Sequence, residues 1–289
     1  MVTQTSDRYS NRTYRRLKAL KRIGLYAGVA LVLIYMLFPY YWAIISSTKT
    51  RESLYSFSLV PSLDFSNYIS LFNNPIFMGA IVNSAIVAIS SSVLSLIISL
   101  FAAYALGRLH FKLSRIILIC VLMISVFPQV VVLSGMFEVI GWLGFYNRPA
   151  ALIFSYLLLI LPFTTWVLTS FIRDLPVELE EAALIDGCSR MRILTHVLLP
   201  LMGPAIASTG LLAFILAWNE FLFALTFILT DENRTVPVAI GLLTGSSRYE
   251  YPFGQIMAAS VTVTLPLLIL VLIFQRKIVA GLTSGAVKG

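Results

Sequence analysis

Six blocks free of charged side chains divide the chain: residues 23–48, 65–107, 116–137, 149–172, 193–219 and 251–275. A helix crosses the roughly 30 Å hydrocarbon core of a bilayer with about 20 mostly apolar residues, so every block is long enough to span. The second is too long for one helix. Its start at Asn67, Asn73, Asn74 and Pro75 reads as loop, which puts the helix start near Phe77. The fifth span is expected from Leu201, just after Pro200, past Glu220 to about Leu229. The pattern predicts an all-α, polytopic membrane protein with six transmembrane helices. A basic N-terminal segment covers 1–22, the six-helix domain 23–278, and a glycine-rich tail 279–289. The first ten residues are polar and are expected to be disordered.

Within the spans three features stand out. Small residues recur at helical spacing after Phe77: Ser84, Ala88, Ser91, Ser92, Ser95, Ser99, Ala102 and Ala103. Lipid gives helices no hydrophobic reason to associate, so such a stripe reads first as a packing face and second as the lining of a solute path. Gly24 and Gly28 make a lone GxxxG, a weak signal. Prolines at 39, 128, 162, 204 and 266 predict kinked or broken helices, common in transporters and tolerated in many other membrane proteins.

Composition supports the same class. The chain is 58% hydrophobic and 12% charged, against about 45–50% and 25% for soluble domains, which excludes a soluble enzyme. The net charge of +8 raises nucleic acid as a partner, but the basic residues follow topology instead. With the N-terminus inside, 16 of the 21 Lys and Arg residues fall on the cytoplasmic side, and both termini are cytoplasmic. The first span exceeds the 7–15 apolar residues of a signal peptide and ends in Pro39, Tyr40, Tyr41 and Trp42, an interfacial aromatic belt.

Little in the chain suggests chemistry. It has no GxxxxGK[ST], no HExxH and no GxSxG, and its two histidines, His110 and His196, lie in separate segments. Packing accounts for Cys120 and Cys188. Glu220 is the acidic residue expected inside a span, preceded by Trp218 and Asn219. A carboxylate there is either functional or held in an interhelical hydrogen bond, with Asn219 as a local partner.

The connection between the fourth and fifth spans breaks the basic trend with Asp174, Glu178, Glu180, Glu181 and Asp186. The stretch 175–187 predicts a short helix. Pro176 suits its first turn, acids near that end favour the macrodipole, and Gly187 suits a left-handed ending. Val177, Ala183 and Ile185 give it apolar surface. A solvated loop helix is one reading; a docking element for a cytoplasmic partner is the other.

Glu181-Ala182-Ala183, then Gly187, then Val197-Leu198-Leu199-Pro200 resembles the EAA signature of binding-protein-dependent ABC importer permeases. Val197 stands where the family has Ile, and Cys188 where it has a small Ala. Tyr104-Ala105-Leu106-Gly107-Arg108-Leu109, Trp218-Asn219-Glu220-Phe221 and the tail Gly281-Leu282-Thr283-Ser284-Gly285-Ala286-Val287-Lys288-Gly289 resemble the carbohydrate branch of the maltose and trehalose type.

The resemblance implies a type I permease fold in a bacterial plasma (inner) membrane and import of a di- or oligosaccharide. It implies a second permease subunit as heterodimer partner, an ATPase subunit dimer, an extracytoplasmic sugar-binding protein, the lipid bilayer, and no nucleic acid. ATP and Mg would be bound by the ATPase, with no cofactor in this chain. The loop 174–200 would couple to the ATPase through Glu178, Glu181, Ala182, Ala183, Asp186, Gly187, Leu199 and Pro200. The tail would contact it through Gly281, Leu282, Thr283, Gly285, Ala286 and Lys288. Asn219, Glu220 and Tyr249 would lie on the substrate path; Tyr249 sits among aromatics and polar residues suited to a sugar-handling loop, or to an ordinary interfacial turn. A permease for a polyamine, phosphate or osmolyte is an alternative, as are an ion-driven secondary transporter and a membrane scaffold.

Overall fold

The computed structural model describes residues 4–50, 53, 58–109, 112–243 and 252–284, and among them it is helical with no strands. The helices are α1 (Gln4–Ser47), α2 (Ser66–Phe72), α3 (Pro75–Arg108), α4 (Ser114–Ile124), α5 (Gln129–Trp142) and α6 (Pro149–Asp174). There follow α7 (Glu178–Ile185), α8 (Arg190–Arg192), a π-helical turn (Ile193–Leu198), α9 (Leu199–Leu201), α10 (Gly203–Trp218), α11 (Leu222–Phe227), α12 (Val236–Gly241) and α13 (Phe253–Ser284). Four segments are long and apolar enough to cross a membrane, Leu20–Ser47, Pro75–Arg108, Pro149–Asp174 and Phe253–Gln275. The number rises to six if each of two bent pairs counts as one span.

The bends fall where proline removes helical hydrogen bonds. α4 and α5 meet at 97° across Pro128, and the segment Arg190–Leu201 meets α10 at 80°, between Pro200 and Pro204. Pro39, Pro162 and Pro266 stay inside their helices.

Several expectations change. α1 begins at Gln4, so the polar start is helical where disorder was expected. The fifth span does not run on through Glu220: α10 ends at Trp218 and α11 starts afresh at Leu222. Glu138, excluded from the third span by the charge-free criterion, lies exposed within α5. α13 continues to Ser284, so the tail residues Gly281, Leu282 and Thr283 are helical.

Two compact units form, Met1–Ile69 with Pro252–Val261, and Ser70–Tyr251 with Thr262–Gly289. In the first, the Tyr41 hydroxyl donates to the Leu59 carbonyl at 2.6 Å, and the Lys49 ammonium lies 5.2 Å from the Trp42 ring centre. Asn67 Nδ2 donates to the carbonyls of Ser47 and Lys49, 3.0 Å each, pinning the end of α1. The apolar side chains of α1 from Leu20 to Tyr41 are largely exposed, surface that needs lipid or another chain to cover it.

In the second unit α3 and α6 run parallel along the small-residue stripe. Ser84, Ala88, Ser91, Ser92, Ser95, Ser99 and Ala103 are buried. Ser95 and Ser99 hydroxyls pair with Thr164 at 2.8 and 2.6 Å, and Ser99 also pairs with Thr165 at 3.0 Å. The packing reading of the stripe therefore holds. Tyr156, Ile140, Leu152, Trp218, Phe223 and Phe227 fill the core beside it.

Candidate functional site

The acid loop starts from the ends of α3 and α6. Each helix carries in its last turn an arginine that caps the other. Arg108 Nη2 donates to the Leu175 carbonyl at 2.7 Å, and Arg173 Nη2 donates to the Leu106 carbonyl at 2.9 Å. Last-turn carbonyls lack intrahelical partners, and a guanidinium there also meets the negative end of the dipole. Gly107 permits the close approach: a Cβ at this position would stand 3.0 Å from Ile172 Cγ2.

From Leu175 the chain passes Pro176 and Val177 into α7, which begins two residues later than Pro176 suggested. Gly187 takes φ +76°, as its position at the helix end predicts. Cys188 N donates to the Ala183 carbonyl at 2.9 Å and Gly187 N to Leu184 at 3.0 Å, the paired bonds of a Schellman ending. Ala183 is the buried residue of α7, packed with Ile193, Leu194 and Leu198 and against Cys188. Its small side chain therefore serves contact within the chain.

Glu178, Glu181, Ala182, Asp186 and Gly187 are exposed, as are Val177, Leu184 and Ile185. Glu180 turns the other way and forms an ion pair with Arg108, Nε to Oε1 2.6 Å. Leu199 is half-buried and Pro200 exposed, in the short α9 beyond the π-helical turn. The Arg108–Glu180 pair escapes the sequence reading, in which Arg108 counts toward topology and toward the run Tyr104–Leu109 but is given no partner.

A second feature lies where α4 turns into α5 and α10 gives way to α11. An open cavity of about 590 Å³ is lined by Ser125, Gln129, Asn219 and Glu220 with Phe127 and Phe221. That volume falls in the range of small-molecule sites. Glu220 is 7% exposed, and its carboxylate accepts from Phe223 N at 2.9 Å, Ala224 N at 3.1 Å and Gln129 Nε2 at 3.1 Å. It thus caps α11 and ties that helix to the start of α5. Asn219 Nδ2 donates to the Ile215 carbonyl at 2.8 Å, and the residue is exposed in the cavity lining. Gln129 was not singled out in sequence, because a glutamine in an apolar run gives no sign of where its helix begins.

A third knot holds the turn before α6. Asn147, at φ +59°, accepts through Oδ1 from Leu229 N (2.9 Å), Thr230 N (3.1 Å) and Thr230 Oγ1 (3.2 Å). Tyr249 and the tail residues Gly285, Ala286 and Lys288 lie outside the described residues.

Apolar helices, two of them sharply bent, a cavity that carries a few polar side chains, and an exposed acid loop held on two packed helix ends define a polytopic membrane protein of transporter type. Residues 95–284 match the family described as binding-protein-dependent transport system inner membrane component, and the chain belongs to that family. It is 43% identical over 277 residues to the trehalose/maltose transport system permease protein MalG of Thermococcus litoralis, covering 95% of this chain and 99% of that protein. It is 37% identical over 260 residues to the trehalose transport system permease protein SugB of Mycobacterium tuberculosis, covering 90% of this chain and 95% of that one. A solved bacterial ABC transporter involved in alginate import shares the fold, with a TM-score of 0.74 at 20% identity over 92% of this chain and 97% of its own.

Proposed function

We propose that this chain is the membrane-spanning permease subunit of an ATP-driven sugar importer. Its solute is a di- or oligosaccharide of the trehalose or maltose type, handed over by an extracytoplasmic binding protein. The full-length similarity to permeases named for trehalose and maltose supports the solute class. The bias of 16 of 21 basic residues to one side supports cytoplasmic termini in an inner membrane. A second permease subunit completes the pathway, and a separate ATPase dimer holds ATP and Mg, with no cofactor in this chain.

The observation that carries this reading is the exposed face of α7. Three carboxylates, Glu178, Glu181 and Asp186, stand beside exposed Val177, Leu184 and Ile185 on a helix anchored from behind. Exposed apolar side chains among fixed charges of one sign suit a protein partner with a basic cleft. The ATPase is that partner. Its motion on ATP binding is passed through residues 174–200 to α3, α6 and α10, opening the pathway alternately to each side. Asn219 and Glu220 border the solute cavity, and the residues from Gly281 to Lys288 reach the ATPase.

Glu181→Lys tests the reading. The variant should insert normally into membranes and lose both ATPase co-purification and sugar uptake. Full uptake with wild-type ATPase binding would sink the assignment of α7.

A further inference from the structure

We infer that Arg108 is a positioning residue that makes α7 move as one body with the ends of α3 and α6. This deepens the reading of α7 as the ATPase-docking helix and rests on it. The arginine is the last residue of α3, and one guanidinium serves two elements. Its Nε meets Glu180 Oε1 of α7 at 2.6 Å, and its Nη2 meets the Leu175 carbonyl after α6 at 2.7 Å. The paired side chains are 7% and 13% exposed, so water screens their attraction little.

The surrounding contacts leave α7 no independent path. Arg173 returns the bond from α6 to Leu106 of α3 at 2.9 Å, and Ile172 sits tight on Gly107. On its inner face Ala183 packs with Leu194 and Leu198, against Leu100 and Tyr104 of α3. The acids of α7 therefore divide by role. Glu178, Glu181 and Asp186 face outward to a partner, whereas Glu180 faces inward to Arg108. A push on the outer face reaches both long helices through that inward pair. Without it, the ATPase still docks and hydrolyses ATP, but less of its motion arrives at α3 and α6.

The test uses the complete transporter in proteoliposomes, with binding protein and a saturating sugar for which the wild type shows uptake. Variants are Arg108→Glu, Glu180→Arg, the exchange of both, and Glu181→Lys as control. The readouts are ATPase co-purified per complex and ATP hydrolysed per sugar moved. Each single variant should retain ATPase yet raise the ATP-to-sugar ratio at least fivefold, and the exchange should lower it only part of the way, because it restores the ion pair but not the bond to the Leu175 carbonyl. A ratio unchanged in the single variants overturns the inference, as does an exchange whose ratio is no lower than that of either single variant.

If a charge reversal prevents assembly, Arg108→Lys and Glu180→Gln replace it. Both should raise the ratio, because lysine cannot serve Nε and Nη2 partners together and glutamine loses the charge. An unchanged ratio in these two also overturns the inference. Glu181→Lys separates the two levels of the argument: normal ATPase binding by that variant rejects the docking reading itself, whatever Arg108 does.

Discussion

Glu220→Ala provides the sharpest test of how the cavity is built. The carboxylate accepts two backbone N–H groups at the start of α11, from Phe223 at 2.9 Å and Ala224 at 3.1 Å, and one from Gln129 at 3.1 Å. Leaving a buried donor unpaired costs about 1–3 kcal/mol, and losing a helix cap alone about 1 kcal/mol. Two stranded N–H groups thus put the local cost near 3 kcal/mol, on the order of a hundredfold in the opening equilibrium of α11. Hydrogen–deuterium exchange on the intact protein in nanodiscs reads this directly. Amides from Phe223 to Ile228 should exchange on the order of a hundredfold faster in Glu220→Ala. Glu220→Gln keeps one acceptor, so its acceleration should be about tenfold or less. Exchange within threefold of wild type in the alanine variant would refute the capping role. Transport adds a second discrimination: a cap predicts that Glu220→Gln transports well. Loss of transport in that variant with unchanged exchange would assign the charge to the solute path.

Substitutions at two further positions probe the other knots. Gly187→Val places a β-branched residue at φ +76°, where L-residues lose about 1–2 kcal/mol or more, and should fray the Schellman ending. Maleimide labelling of half-buried Cys188 should then accelerate several-fold, while Gly187→Asn labels near the wild-type rate; equal rates in all three would contradict the role of the turn. Asn147→Ala removes an acceptor serving three donors and keeps the unfavourable φ of +59°, so thermal stability in detergent should fall by about 2–4 kcal/mol. Asn147→Asp retains the acceptor and should lose much less.

What sequence reveals here follows from what hydropathy measures. A charge-free block reports that a segment avoids water, so the apolar segments and the packing stripe of α3 were readable. Direction is not encoded in hydropathy. The 97° turn at Pro128 and the 80° turn near Met202 needed the folded chain, although proline marked both neighbourhoods. Gly187 was readable because few other residues accept a left-handed φ at a helix end. The run to Leu229 was misjudged because Glu220 looks like a charge within a helix, whereas its carboxylate begins a new one. Asn147 stayed hidden because its donors come from residues more than 80 positions away.

The acid loop shows a deeper limit of reading by composition. Four acids of α7 and its end, Glu178, Glu180, Glu181 and Asp186, are chemically alike in sequence. Which one faces inward depends on where α3 stops relative to α6. That register is fixed by Gly107 against Ile172 and by the exchange of arginines between Leu175 and Leu106. The loop-charge bias treats lysine and arginine as equivalent, and a lysine at 108 or 173 would satisfy it equally. Only the forked guanidinium reaches a carbonyl through Nη2 while Nε holds a carboxylate. The residue type at 108 is therefore set by the geometry of three meeting helices, not by topology. The same arginine counts as one more positive charge in the sequence and as the joint of the loop in the fold.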